Sequence, residues 1–139
     1  MPLPENISLE IVTPTGLLMR EVVDEVIAPG GDGYFGVRPG HTPMLSSLGI
    51  GDIWYRRGPT TGNLTCFGGF CEVLPDRVSI LAEIGERAED VDVGRAERAK
   101  AHALELLKTI KDEEGYKDAR TAYSRALTRL AVATRRRQG

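Results

Sequence analysis

The residue with the clearest chemical potential is His41, which lies in the segment GYFGVRPGHTPML. An imidazole can take up or release a proton near neutral pH, but no serine, cysteine or carboxylate has the spacing of a nucleophile and its base. The turn-forming residues around it are Gly36, Pro39, Gly40 and Pro43. They predict a stiff, turned loop over this segment. We therefore expect His41 to have a structural or docking role rather than a catalytic one.

The two cysteines, Cys66 and Cys71, are the next candidates for chemistry. They lie in the apolar run TCFGGFC, and both histidines, His41 and His102, are far away in sequence. A metal site would need further ligands nearby. We therefore predict two buried thiols that pack as small hydrophobic side chains, and no metal site. Gly68-Gly69 between them indicates a bulge or the close approach of another backbone.

Two groups of charged residues have the spacing of shared helix faces. Asp92 and Arg95 are three residues apart, and Arg125 and Arg129 are four apart, so each pair lies on one side of its predicted helix. If a hairpin brings these faces together, several guanidinium groups converge, which suits a phosphate. From the spacing alone, ordinary charge pairs on a solvated helix are the simpler interpretation.

The C-terminal run from Arg135 to Arg137 could contact an acidic protein surface, lipid or nucleic acid. Its alternative is a solubilising helix end, with cations at the negative pole of the helix dipole. Nucleic-acid binding is not predicted, because no aromatic residues are interspersed in the run and the net charge of the chain is -2.

The elements that must position these residues fall into two halves of different composition. All 8 prolines and 13 of the 16 glycines precede residue 88, whereas 10 of the 12 alanines follow residue 87. Turn-forming residues therefore fill one half and the best helix former fills the other. We predict a domain over residues 1–87 and a second over residues 88–139.

The sequence of the first domain predicts a series of short strands. ISLEIV alternates in polarity, and LLMREVVDEVIAP, IWYRR, NLTCF, FCEVL and RVSIL are β-prone runs between turn signals. This density of strands and turns favours an antiparallel sandwich or a flattened barrel. The predicted fold class is α+β, with this sandwich preceding a helical hairpin.

The second domain reads as two helices, over about residues 92–110 and 117–135, with Gly115 marking the break. A short link makes the helices antiparallel neighbours. Their facing residues are mostly alanines, which bury little apolar area compared with leucines. We hypothesise that the hairpin can open or leave the β domain.

Taken together, these segments resemble the epsilon subunit of bacterial and chloroplast F-type ATP synthase, whose mitochondrial counterpart is called delta. The resemblance rests on LEIVTPTG, VRPGHTPML, FGGFCEVLPDRVSILAE and DVDVGRAERAKAHA, which span nearly the whole chain. It implies an antiparallel β-sandwich of about ten strands followed by an α-helical hairpin. It also implies a subunit of the central rotor stalk that carries no chemistry, couples F1 catalysis to ion translocation, and inhibits ATP hydrolysis through its C-terminal helices.

The resemblance also implies roles for particular residues. His41, with Pro39, Gly40 and Pro43, matches the family's docking loop near the c ring. The residues matching the ATP-binding positions of some bacterial members are Glu86, Val91, Asp92, Arg95, Ala96, Arg125 and Arg129. Two departures are Gly94 in the first helical turn and His102 in place of an arginine. The basic residues Arg135, Arg136 and Arg137 are expected to contact the beta subunits.

The implied partners are the gamma subunit, the c ring and the beta subunits, with ATP as a possible regulatory ligand and no required cofactor. The implied location is peripheral, on the cytoplasmic face of the bacterial inner membrane. No stretch approaches the roughly 18 consecutive apolar residues of a membrane span. The alternatives are a free-standing nucleotide-sensing or small-ligand module and a hydrolase built around His41.

Overall fold

The computed structural model describes residues 3–138, with side chains up to Arg135. Over this range eight strands precede two helices. The strands are β1 (Ile7–Thr13), β2 (Gly16–Val23), β3 (Glu25–Gly30), β4 (Gly33–Val37), β5 (Met44–Arg57), β6 (Thr60–Leu74), β7 (Arg77–Ala82) and β8 (Gly85–Arg87). A short 3-10 helix (Ala88–Asp90) leads into α1 (Val93–Thr109) and α2 (Glu113–Gln138).

The strands form one sheet in the order β2-β1-β7-β6-β5-β3-β4, folded into two layers, with β8 paired to β6. The strands β5 and β6 are 14 and 15 residues long, and each contributes to both layers. The first half of β6 pairs with β8 and its second half pairs with β7. The predicted sandwich is therefore confirmed. The predicted count of about ten strands is wrong, because β5 and β6 are each one continuous strand that contributes to both layers.

One strand pair departs from the predicted antiparallel arrangement. β1 and β7 run parallel, with Ser8 opposite Arg77 and Val12 opposite Leu81. No hairpin joins these two strands, so no turn forces them to be antiparallel. The other strand pairs are antiparallel.

The core lies between the two layers, and the alternation predicted for β1 is confirmed because Ile7, Leu9 and Ile11 are fully buried. Cys66 and Cys71 belong to the same core, as predicted for thiols that pack as small hydrophobes. Burial raises the pKa of each thiol to about 12. Buried, protonated thiols of this kind are typical of cysteines that pack in a core rather than react.

Two sequence predictions in this domain are wrong in detail. The run LLMREVVDEVIAP is split at Asp24 into β2 and β3. The predicted loop over residues 33–45 is shorter, because its first part forms β4 and pairs with β3, Tyr34 opposite Pro29. The turn signal at Pro29-Gly30-Gly31 belongs to a tight connection between Gly30 and Gly33, which closes a hairpin.

The helical hairpin is capped by two aspartates. Asp92 precedes α1, and its Oδ1 accepts a hydrogen bond from the Arg95 N–H at 3.0 Å. Asp112 precedes α2, and its Oδ2 accepts from the Gly115 N–H at 2.8 Å. The prediction that Gly115 breaks the helices is wrong. The cap at Asp112 starts α2 at Glu113, so the glycine lies inside the first turn.

Alanines form the seam between the helices, as the sequence indicated. The buried members are Ala96, Ala103, Ala119 and Ala126. The hairpin rests on the sheet mainly through α2, which contacts β5, β6 and the 3-10 helix. Val132 and Ala133 pack there against Val91 in a small second core. Neither helix in the described range is long and apolar enough to cross a bilayer.

Candidate functional site

A cleft of about 290 Å³ lies where the β domain meets the hairpin. Strand β8, the 3-10 helix, the start of α1 and the second half of α2 contribute to it. Its lining residues are Glu86, Asp90, Asp92, Arg95, Ala96, Ala99 and Arg129. Because its walls come from both domains, the cleft exists only while the hairpin is docked.

Glu86 connects the two domains at the base of this cleft. Its Oε1 accepts a hydrogen bond from Arg129 Nε at 2.8 Å and another from the Thr65 hydroxyl at 3.1 Å. The antiparallel register of β6 and β8 places Thr65 directly opposite Glu86. The side chains of Glu86 and Arg129 are each 28% exposed, so solvent screens the ion pair only partly.

Phe67 provides the other anchor for the arginines of α2. The Arg129 guanidinium carbon lies 4.8 Å from the centroid of the Phe67 ring, and that of Arg125 lies 5.5 Å away. Both distances are within the range of cation–π attraction. The Arg125 Nε is buried and finds no hydrogen-bond acceptor among the described residues. Arg125 therefore supports the docked hairpin through the ring.

The charges of the cleft favour a ligand with mixed chemistry. Two arginines and three carboxylates line it. Arg129 forms an ion pair with Glu86. None of the ion pairs in the described range involves Arg95. An anionic group therefore suits the Arg95 side of the cleft, and hydroxyl or amino donors suit the carboxylates. The described residues offer no cluster of three potential metal ligands.

The structure gathers most of the residues implied for ATP binding. Glu86, Asp92, Arg95, Ala96 and Arg129 line the cleft. Val91 lies in the small core beneath the hairpin instead, and Arg125 lies over Phe67. The sequence reasoning missed Asp90 and Ala99, although Asp90 lies directly before the motif and Ala99 one turn after Ala96.

The loop that contains His41 is pinned to a neighbouring turn. The Gly40 N–H donates to the Pro75 carbonyl at 2.7 Å, and the His41 N–H donates to the Arg38 carbonyl at 3.2 Å. The His41 Nδ1 lies 2.7 Å from the Thr42 carbonyl. His41 is therefore held by backbone contacts while its ring remains partly exposed, and its docking role stays a prediction.

A strip of apolar side chains lies on the outer face of the layer that contains β1, β7 and the second half of β6. Val12, Leu81 and Phe70 are neighbours across β1, β7 and β6; we call these three residues the apolar strip. Phe70 is 57% exposed and Leu81 59%, and a groove of about 340 Å³ runs beside them. Large apolar side chains clustered on a surface mark sites of protein contact.

Arg135 is engaged within the chain. Its Nη1 donates to the Asp52 Oδ2 on β5. The side chains of Arg136 and Arg137, which were expected to contact the beta subunits together with Arg135, lie outside the described residues. That contact stays a prediction.

A two-layer sandwich that carries an alanine-seamed helical hairpin defines the class of this chain. Residues 6–88 match the family described as ATP synthase, Delta/Epsilon chain, beta-sandwich domain. Residues 89–134 match ATP synthase, Delta/Epsilon chain, long alpha-helix domain. The chain belongs to the delta/epsilon chain family of ATP synthases.

Curated relatives agree with this assignment, and a solved structure shares the fold. The ATP synthase epsilon chain of Nitratidesulfovibrio vulgaris (strain DP4) is 45% identical over 92% of this chain and 96% of the relative. The epsilon chain of Syntrophobacter fumaroxidans is 46% identical over 93% and 96%. A chain in the OSCP/F1/c-ring structure of Euglena gracilis mitochondrial ATP synthase superposes with a TM-score of 0.82 at 20% identity, covering 94% of this chain and 83% of that one. This last likeness concerns the fold.

Proposed function

We propose that the chain is a non-catalytic subunit of the central rotor stalk of F1Fo ATP synthase. In this role its β domain docks on the gamma subunit and the c ring, and couples F1 catalysis to ion translocation. Its C-terminal helices restrain ATP hydrolysis by contacting the beta subunits. The chain works at the cytoplasmic face of the bacterial inner membrane, held there through the complex.

The observation that carries this proposal is that the hairpin covers one outer face of the sandwich and leaves the other exposed. One face is covered by α2. The other presents the apolar strip, with more than half of the Phe70 and Leu81 side chains open to solvent. An apolar face that the chain itself leaves uncovered suits a permanent partner, whereas a covered face suits a removable regulatory element.

The experiment that tests the proposal measures ATP hydrolysis by an F1 core from which this subunit has been removed. We expect the full chain to bind and slow hydrolysis, and a chain ending at residue 88 to bind without slowing it. The β domain keeps its whole core in the shorter chain, because the core residues between the layers all precede residue 88.

Either of two results would count against this division. Inhibition by the shorter chain would assign the restraint to the β domain. Failure of both chains to bind a matched core would favour a free-standing ligand-binding module.

ATP is the regulatory ligand proposed for the cleft. The Arg95 guanidinium suits a phosphate, and the carboxylates of Glu86, Asp90 and Asp92 suit the hydroxyl and amino donors of a nucleoside. A bare polyphosphate would meet three carboxylates with few donors of its own. The nucleoside part is therefore needed for tight binding. Bound ATP would favour the docked hairpin, since the cleft has walls from both domains.

Replacing Arg95 by glutamine is expected to weaken ATP binding to the full chain at least about tenfold, the loss typical of a hydrogen bond to a charged group. Isothermal titration calorimetry measures this. Arg120→Gln is the matched control, because Arg120 is exposed on α2 and does not line the cleft. Equal ATP affinity for the Arg95 variant and the control, or binding of tripolyphosphate as tight as that of ATP, would refute the assignment.

A further inference from the structure

The hairpin is fastened to the sheet at a second point, away from the cleft. Arg135 lies six residues beyond Arg129 on α2, which at 1.5 Å per residue places it roughly 9 Å further along the helix axis. There the Arg135 Nη1 donates to the Asp52 Oδ2. This contact joins the end of α2 to the middle of β5.

The acceptor of this contact is held in place by a tyrosine from another strand. The Tyr34 hydroxyl donates to the Asp52 Oδ1 at 2.9 Å and accepts from the Asp52 N–H at 3.1 Å. Both carboxylate oxygens therefore have a partner. The Asp52 side chain is only 15% exposed, against 54% for Arg135, so the pair combines a fixed, largely buried anion with a more accessible cation.

The fold makes room for this arrangement at Gly51. A Cβ atom there would lie 2.4 Å from the Tyr34 hydroxyl oxygen and 2.7 Å from the Pro29 Cβ. A side chain at residue 51 would therefore push the tyrosine off its partner. Burial also raises the pKa of Tyr34 above its ordinary value, so the hydroxyl remains a donor across the neutral range and beyond.

An apolar contact also holds this part of α2. It is the small core around Val91, Val132 and Ala133, in which Val132 is fully buried and contributes substantially to docking. Arg135 lies beyond this core along the helix, so loss of its contact with Asp52 frees the helix end first.

We propose that Tyr34, Asp52 and Arg135 form a clasp that holds the end of α2 on the sheet and keeps Arg135 from any other acidic partner. The clasp acts whether or not ATP occupies the cleft, because none of its three residues lines that cleft. When α2 leaves the sheet, Arg135 becomes free for an acidic protein surface. Asp52 and such a surface thus compete for one guanidinium group, a consequence that rests on the contact with the beta subunits proposed above.

Hydrogen exchange on the full chain without nucleotide tests the clasp. Amide exchange in residues 129–135 reports local opening of this helix end. We expect Arg135→Gln and Asp52→Asn each to speed exchange there about fivefold, the effect of losing an ion pair near the upper end of the exposed range. The double variant should exchange no faster than the faster single variant, because both changes break one contact.

Matched controls separate the clasp from general effects of charge. Glu72→Gln removes an exposed carboxylate from β6, and Arg120→Gln removes an exposed guanidinium from α2; both should leave exchange in residues 129–135 unchanged. Arg135→Gln alters only the helix end, so it remains informative if Asp52→Asn disturbs the sheet. Unchanged exchange in Arg135→Gln, or additive effects in the double variant, would overturn the proposal.

Discussion

Replacing Gly69 by alanine is expected to destabilise the β domain severely. Gly69 has φ +125°, and a Cβ atom there would lie 1.9 Å from the Leu81 carbonyl oxygen and 3.0 Å from the Ala82 Cα. These atoms belong to the backbone of β7, which pairs with β6 at this point, so neither strand can move away without losing the pairing. We expect a loss of more than about 4 kcal/mol, a large part of the stability of a small domain.

The matched control for this substitution is Gly16→Ala. Gly16 has a similar φ, +132°, but a Cβ atom there would meet nothing within 4 Å. It carries the backbone strain without the overlap, so its loss should be about 1–3 kcal/mol. Urea unfolding followed by circular dichroism compares the two variants. Equal stabilities would mean that the strands separate at Gly69 more easily than their pairing indicates.

Replacing Phe70 by glutamate is expected to weaken docking on the rotor strongly while leaving the fold intact. The side chain is 57% exposed in the free chain, so a carboxylate stays solvated there and the free energy of unfolding changes little. In a complex the same carboxylate would be buried without a partner. We expect the affinity for an F1 core that lacks this subunit to fall at least about thirtyfold, as for other central interface residues.

The affinity of this variant can be measured by surface plasmon resonance. Leu104→Glu is the control, since Leu104 is 40% exposed on α1 and lies outside the apolar strip. Its binding should match that of the unaltered chain. If Phe70→Glu binds normally and the control does not, the hairpin rather than the apolar strip faces the stalk.

Local patterns in the sequence predicted much of the fold. Polarity alternation located β1, and the shift from proline and glycine to alanine separated strands from helices. The helix boundary was wrong because a capping aspartate, Asp112, outweighs the low helix propensity of Gly115. The strand count was wrong because β5 and β6 remain continuous over 14 and 15 residues, and this continuity depends on which strands pair with each half.

The cleft was predicted better than the clasp for a physical reason. Asp92 and Arg95 are one helical turn apart, so their spacing groups them, and the family resemblance implied Glu86, Ala96 and Arg129. Tyr34 and Asp52 are 18 residues apart on different strands, and Arg135 lies on a helix 83 residues beyond Asp52. Their meeting depends on strand order and register, and a single sequence does not reveal either.

The parallel pairing of β1 with β7 affects how the chain folds during synthesis. Ser8 pairs opposite Arg77, so the inner edge of β1 has no partner until about 70 further residues have been made. Since synthesis proceeds at roughly 5–20 residues per second, that edge stays unpaired for several seconds on the ribosome. The helical hairpin is made later still and needs a finished sheet on which to dock. The hairpin thus docks only after the β domain can already engage a partner.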